Sequence, residues 1–238
     1  MSLSISNLIS NVDLAELMTT DNSITAIVVL GGNPPTRAIK QHIPAHQLVI
    51  AADSGLHGAI DLGLRVNVVI GDMDSVDKAI LAAVEANGTT VTELPRDKDS
   101  TDAELALLKA VELGANKIVL ITKGGGRLDH ELGVFAVLQN PGLRKCTIEA
   151  MWDNSILHLI HGPASVVITG KQGSNVGLIA AGGTASGITT TGLKWSLTDD
   201  SLAPHSSRGI SNQLVADSAV ISVQAGSLFV VQSSALSN

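Results

Sequence analysis

The segment Gly71-Asp72-Met73-Asp74-Ser75 follows directly on the apolar run at residues 66–70. In extended backbone, residues i and i+2 point the same way, so Asp72 and Asp74 project together from a strand end while Met73 turns back toward the protein. Two adjacent carboxylates repel unless a cation lies between them, and hard oxygen ligands suit Mg²⁺. The plainer alternative is a turn whose aspartates cap a helix. Three further polar clusters follow apolar runs: Asp53-Ser54-Gly55; Arg96-Asp97-Lys98-Asp99-Ser100-Thr101-Asp102; and Lys123-Gly124-Gly125-Gly126-Arg127-Leu128-Asp129-His130. In the last, three glycines let backbone N–H groups approach an anion. Lys123 and Arg127 add full positive charge, and arginine can clamp phosphate oxygens with two donors. The P-loop spacing G-x-x-x-x-G-K-[ST] is missing. After the first strand comes Gly31-Gly32-Asn33-Pro34-Pro35 rather than G-x-G-x-x-G, which disfavours dinucleotide binding. His57, His130, His158 and His205 lack zinc-ligand spacing, and His130 is better placed as a hydrogen-bonding partner within its cluster.

Positioning these clusters requires elements that end side by side. Residues 24–30, 47–52, 66–70, 89–94 and 117–122 read as strands. Between them the spacing predicts helices, best over residues 101–113, where Ala103, Ala106, Leu107, Ala110 and Val111 form one apolar face. Thr101-x-x-Glu104 makes a capping box at its start, and Gly114 ends it. Strands apolar on both faces and separated by helices imply a parallel sheet covered on both sides. The four clusters then meet along the carboxyl rim, where α/β folds place phosphate-bearing ligands. From about Cys146 onward the runs are short, β-type and split by Gly, Pro, Ser and Asn, which predicts an antiparallel sandwich or barrel. The expected class is therefore α/β, with a doubly wound, mostly parallel sheet domain over residues 23–143 and a smaller all-β sandwich domain over 144–238. The strand at residues 146–151 fits either sheet, and residues 1–22 read as a helix-bearing N-terminal extension.

Hydrophobic residues make up 45% of the 238 and charged residues 16%, enough for a well-filled core. No apolar run reaches membrane-spanning length, and the N-terminus lacks a secretory pattern. The single cysteine, Cys146, fits a reducing compartment, with the cytoplasm as the expected location. A net charge of −7 repels nucleic acid and anionic lipid, and two Trp, two Phe and no Tyr cannot build a base-stacking platform. The same acidity repels a nucleoside triphosphate, so a phosphate-using enzyme of this composition needs a metal ion and local basic residues. In the second half, Trp195 sits in Thr190-Thr191-Gly192-Leu193-Lys194-Trp195-Ser196, flanked by polar residues that leave an indole face for a flat or cationic ligand. The alternative is that Trp195, like Trp152, fills a sandwich core. Residues 206–212 form a hydroxyl-rich loop.

Taken in order, these segments resemble the thiamine pyrophosphokinase family. The resemblance rests on Ala52-Asp53-Ser54-Gly55, Gly71 to Ser75, Lys98-Asp99-Ser100-Thr101-Asp102, Gly125-Gly126-Arg127-Leu128-Asp129-His130, Gly192-Leu193-Lys194-Trp195 and Gly209-Ile210-Ser211-Asn212, and spans residues 50–232. Each motif is weak alone; the ordered set is specific. It implies a homodimeric two-domain enzyme that moves the pyrophosphoryl group of ATP to the hydroxyl of thiamine, with Mg²⁺ as cofactor, giving thiamine diphosphate and AMP. By the same resemblance, Asp53, Asp72, Asp74 and Asp102 are the metal and pyrophosphate carboxylates, with Asp72, Asp74 and Asp102 closest to the chemistry. Asp53, Lys123, Gly125, Gly126, Arg127, Asp129 and His130 belong to the nucleotide site. Trp195, Thr191, Ser211 and Asn212 belong to a thiamine pocket completed across the dimer interface. The chain departs from the pattern where Ser54 replaces a glycine, where Leu56-His57 stands for Ala-Asn, and where Leu132-Gly133-Val134 stands for Leu-Ala-Asn. Two rivals are a D-x-D nucleotide-sugar transferase, which gives the G-G-R-x-D-H and G-L-K-W segments no reason to coexist, and a non-catalytic binder of thiamine or nucleotide.

Overall fold

The computed structural model describes residues 23–236, so the extension read over residues 1–22 lies outside the described residues. Its first half alternates strand and helix. β1 (Ile24–Val29), β2 (Leu48–Ala52), β3 (Val68–Gly71), β4 (Thr90–Glu93), β5 (Ala115–Thr122) and β6 (Thr147–Trp152) form a parallel sheet in the order β6-β5-β1-β2-β3-β4. Successive side chains of a strand face opposite ways, and here both ways are apolar. Ala26, Val28 and Leu30 pack with Ala106 and Leu107 of α3 (Asp102–Glu112) and with Val134 and Leu138 at α4 (Leu128–Val137). Ile27 and Val29 pack with Leu56 and Ala59 of α1 (Gly55–Asp61) and with Ile80 and Val84 of α2 (Lys78–Ala86). The sheet is thus doubly wound, and the chain reverses its direction of travel between β1 and β5. That switch point opens a crevice at the strands' carboxyl ends.

Helix α3 starts one residue inside the predicted span because Thr101 is its N-cap, its hydroxyl accepting from the Glu104 amide at 3.3 Å. The reciprocal half of the expected capping box is absent. Glu104 instead accepts from Asn140 Nδ2 at 3.0 Å, tying α3 to the segment after α4.

The chain then turns antiparallel. β7 (Ser155–His161), β14 (Ser227–Gln232), β9 (Asn175–Ala180) and β12 (Asn212–Gln213) extend the same sheet beyond β6 to ten strands. A second, four-stranded sheet of β8 (Ala164–Thr169), β13 (Ser218–Val223), β10 (Ala185–Thr191) and β11 (Asp200–Leu202) closes a sandwich over them. Ile160, Leu178, Leu228 and Val230 meet Ile168, Ile188 and Ile221 in this third core. Each such fully buried aliphatic side chain contributes about 1.5–3 kcal/mol. The strand at 147–152 belongs to the parallel sheet, paired with β5 from Lys117↔Thr147 to Thr122↔Trp152. Trp152 accordingly packs against Phe135 of α4 rather than in the sandwich core. Among the described residues, no helix is long and apolar enough to cross a membrane.

Candidate active site

A cavity of about 680 Å³ opens at the β1/β5 switch point, with Leu30, Asp53, Asp72, Asp102, Gly126 and Trp152 among its walls. Asp53 leaves β2 with φ +47, and its N–H donates to Ile70 O at 2.9 Å. Gly71 closes β3 where a Cβ would approach Asp53 Cβ to 3.0 Å, so this glycine lets the two loops touch. Asp72 and Asp74 do come together, though not by strand alternation. Met73 is left-handed (φ +59), and the Asp74 amide donates to Asp72 Oδ1 at 3.2 Å, while the Met73 side chain is buried as expected.

One oxygen from each of Asp53, Asp72 and Asp74 lies within 4.8 Å of the others. Oδ1 of Asp53 is buried without a hydrogen-bond partner. Burial pushes the Asp53 carboxyl above its ordinary range; the Ser54 amide opposes this, and the charges of Asp102, Asp72 and Asp74 add to it. Such a cluster fits Mg²⁺. Its donors are hard oxygens, and the buried one lacks a partner, which a divalent cation would supply.

Asp102 opens α3 on the same wall but stands outside that trio. Its Oδ1 lies 3.2 Å from Lys98 Nζ, four residues earlier in the loop before the helix. Arg96, mostly exposed, lies 3.7 Å from Asp74, and Ser75 Oγ donates to Asp74 Oδ1 at 2.8 Å. His57 braces this loop from α1, its Nε2 accepting from the Asp77 amide at 3.3 Å.

Opposite the carboxylates runs the glycine segment. Gly124 and Gly125 are left-handed, at φ +63 and +71, and both carbonyls accept from Asn33 Nδ2, at 3.1 and 3.2 Å. The Gly126 amide donates to Glu131 Oε1 at 3.1 Å, so a carboxylate already occupies the position of an anion. Arg127 grips Asp129 through Nε and Nη2, at 3.2 and 2.5 Å, which holds the Asp129 carboxyl below the usual carboxylate range. Gly126, Arg127 and His130 face the cavity. Lys123, Gly125 and Asp129 do not line it, and Lys123 is exposed. Sequence reasoning missed Asn33, Glu131 and the bracing role of His57. Asn33 lay in a segment read only for the dinucleotide motif it lacks.

The second half carries a smaller pocket of about 340 Å³ between Trp195, Leu202, Arg208 and Asn212. Asn212 is 5% exposed and clasps Trp195 in both directions: its Oδ1 accepts from the Trp195 amide at 3.1 Å and its Nδ2 donates to the Trp195 carbonyl at 2.8 Å. The indole is left 55% exposed, with Lys194 Nζ 4.7 Å from the ring centroid. Arg208 pairs with Asp200 through two nitrogens, at 3.0 and 2.5 Å, and holds that carboxyl low. Ser211 is left-handed (φ +64) and exposed beside the pocket without lining it. The structure does not bring Thr191 here. Thr191 pairs with Val220 on the outer face of the four-stranded sheet, whereas its neighbour Thr190 points inward and accepts from the Leu197 amide at 2.9 Å.

Two family models match this chain over more than half its length. Residues 39–150 match the thiamin pyrophosphokinase catalytic domain, and residues 158–228 match the vitamin B1 binding domain of the same enzyme. The chain belongs to the thiamin pyrophosphokinase family. The seam between the two matches falls at the β6–β7 hairpin, where the ten-stranded sheet passes from parallel to antiparallel. Thiamine pyrophosphokinase 2 of Arabidopsis thaliana is 30% identical over 145 residues, 57% of this chain and 53% of that protein, so the chain spans about half the length of this curated relative. The like-named protein of Oryza sativa subsp. japonica is 24% identical over 230 residues, 87% of this chain and 85% of the relative. The thiamine pyrophosphokinase of Bacillus subtilis superposes with a TM-score of 0.75 at 25% identity, covering 87% of this chain and 98% of that one. The yeast thiamin pyrophosphokinase, at 17% identity and a TM-score of 0.68 over 92% and 89% of the two chains, shares the fold.

Proposed function

We propose that this protein transfers the pyrophosphoryl group of ATP to the hydroxyl of thiamine, giving thiamine diphosphate and AMP. The observation that carries the reading is the trio Asp53, Asp72 and Asp74, with its buried, unpartnered oxygen, at the switch point of a chain in this family. These three residues would hold Mg²⁺. Bound there, the ion supplies charge neutralisation to polyphosphate oxygens, the main requirement of phosphoryl-type transfer. Asp102, outside the trio and beside Lys98, would accept the proton of the attacking hydroxyl, with Asp74 as the second candidate. Arg127 and the Gly126 amide exchange their present carboxylate partners, Asp129 and Glu131, for phosphate oxygens. His130 stands beside them on the cavity wall. The parallel part of the sheet, through β6, thus serves the nucleotide, and the strands from β7 onward the thiamine. The exposed Trp195 face receives the thiazolium cation, which takes the place of the Lys194 ammonium over the ring. Asn212 holds that indole in place.

We further propose a homodimer that brings the thiamine pocket of one copy to the nucleotide cavity of the other. Leu128 and Leu132, one turn apart on α4 and 69% and 60% exposed, give it an apolar surface. The lone, buried Cys146 supports a cytoplasmic location. The test is purified protein with ATP, Mg²⁺ and thiamine. AMP and thiamine diphosphate should appear in equal amounts and only with the metal. ATP binding without AMP release would overturn the reading.

A further inference from the structure

Three of the chain's four aromatic residues form one column that neither the metal trio nor the thiamine pocket uses. The Trp152 indole stacks on Phe135, with ring centroids 4.7 Å apart and planes 12° from parallel, and Phe135 meets Phe229 edge-on at 5.8 Å. The indole also lies against the glycine loop. A Cβ on Gly124 would lie 2.4 Å from Trp152 Nε1, so only a glycine lets the loop rest there, and it does so with φ +63. The far end of the loop bonds to the same helix that carries Phe135. Phe135 lies one turn after Glu131 on α4, and Glu131 accepts from the Gly126 amide. The ladder fixes the base of the loop: Thr122 pairs with Trp152, and Thr122 Oγ1 accepts from the Gly124 amide at 3.2 Å.

We infer that Trp152 is a positioning residue for the nucleotide: stacked on Phe135, it presets the Gly124–Gly126 backbone, so that the Gly126 amide exchanges Glu131 for phosphate without the loop having to reorder. This rests on the nucleotide reading above and adds the residue that sets affinity. Ordering a glycine-rich loop on binding costs backbone entropy, and preorganisation removes that cost. The loss should therefore appear in nucleotide binding rather than in turnover.

The test is steady-state kinetics of Trp152→Leu, with ATP and thiamine varied in turn. The KM for ATP should rise about tenfold, as losing one decade of affinity implies, while kcat and the thiamine KM change less than about twofold. An unchanged ATP KM, or equal rises for both substrates, overturns the inference. In case that variant does not fold, Gly124→Ala tests the same contact from the other side. In a Trp195→Phe background, where Trp152 is the sole tryptophan, it should shift the emission of Trp152 and weaken ATP binding measured by titration without thiamine. If Gly124→Ala leaves both emission and affinity unchanged, the inference fails. Wild-type protein that binds ATP but releases no AMP would sink the proposed reaction instead, and the titration would still test Trp152 independently.

Discussion

In the cavity at the switch point, three carboxylates face one another, and the nearest arginine is an exposed side chain 3.7 Å from Asp74 alone. In the pocket beside Trp195, by contrast, the buried polar side chain of Asn212 has partners for both ends of its amide, and Arg208 has its own aspartate. The first site holds unfavourable charge that a cation would neutralise, and its backbone is left-handed at Asp53, Met73, Gly124 and Gly125. The second is satisfied within the protein. Where repulsion is built into a site, removing a charge should relieve the fold while harming the reaction. Where a site is satisfied, removing a partner should harm both.

The largest effect separates the two at once. Asp72→Asn or Asp74→Asn should lower turnover by about 10²-fold or more, as losing a transition-state electrostatic contact does. Neither variant should lower the melting temperature of the metal-free protein. Full turnover in both would remove the metal assignment. Next comes Asn212→Ala. It deletes a buried side chain that accepts from the Trp195 and Gln213 amides and donates to the Trp195 carbonyl. At about 1 kcal/mol for each of the three hydrogen bonds, it should destabilise the fold by roughly 3 kcal/mol. The same change should raise the thiamine KM. Denaturant unfolding with no loss of stability would mean that the clasp is incidental and that the second site is no more complete than the first.

The contrast also marks what could be read from the sequence. The parallel sheet was legible because strands such as 24–29 and 117–122 are apolar on both faces, which only a sheet covered on both sides explains. The convergence of Asp53, Asp72 and Asp102 followed, since parallel strands end on one rim. Membership of β6 was not legible. A six-residue strand reads the same whether its neighbour runs parallel or antiparallel, and β6 has one of each. That Thr191 faces outward from β10 and Thr190 inward was not legible either, because one residue of register exchanges the faces of a strand. The left-handed turn at Met73 left no glycine to signal it. The bonds from Asn33 to a loop 91 and 92 residues away have no local pattern at all. Val134, at the position where the family pattern carries asparagine, lies 8% exposed on the cavity wall beside Trp152, so an apolar surface stands where a polar contact was missed.

Trp195→Ala sharpens the comparison further. With over half its surface exposed, the indole contributes little to packing. The variant should therefore keep its melting temperature within a few degrees while the thiamine KM rises about tenfold, as loss of a cation–π contact worth roughly 0.5–2 kcal/mol implies. A lower melting temperature with an unchanged KM would make Trp195 a structural residue and the pocket beside it unused.

The smallest effect is the most direct test of stored repulsion. Burial and three neighbouring carboxylates raise Asp53 above its ordinary value of 3.8. A group whose folded value is raised binds protons more tightly in the folded protein than in the unfolded one. Folding is thus favoured below the ordinary value, and that advantage is lost as pH rises through the folded value. In metal-free protein at neutral pH, Asp53→Asn should therefore be the more stable of the two, by a few degrees in melting temperature. As pH falls through the raised value toward 3.8, wild type should close the gap. Saturating Mg²⁺ should invert the order at neutral pH, because a cation rewards the ionised carboxylate that the metal-free site penalises. If the two proteins melt together at every pH, with and without the metal, the carboxylates carry no strain, and the distinction between a site that needs a cation and a site already complete disappears.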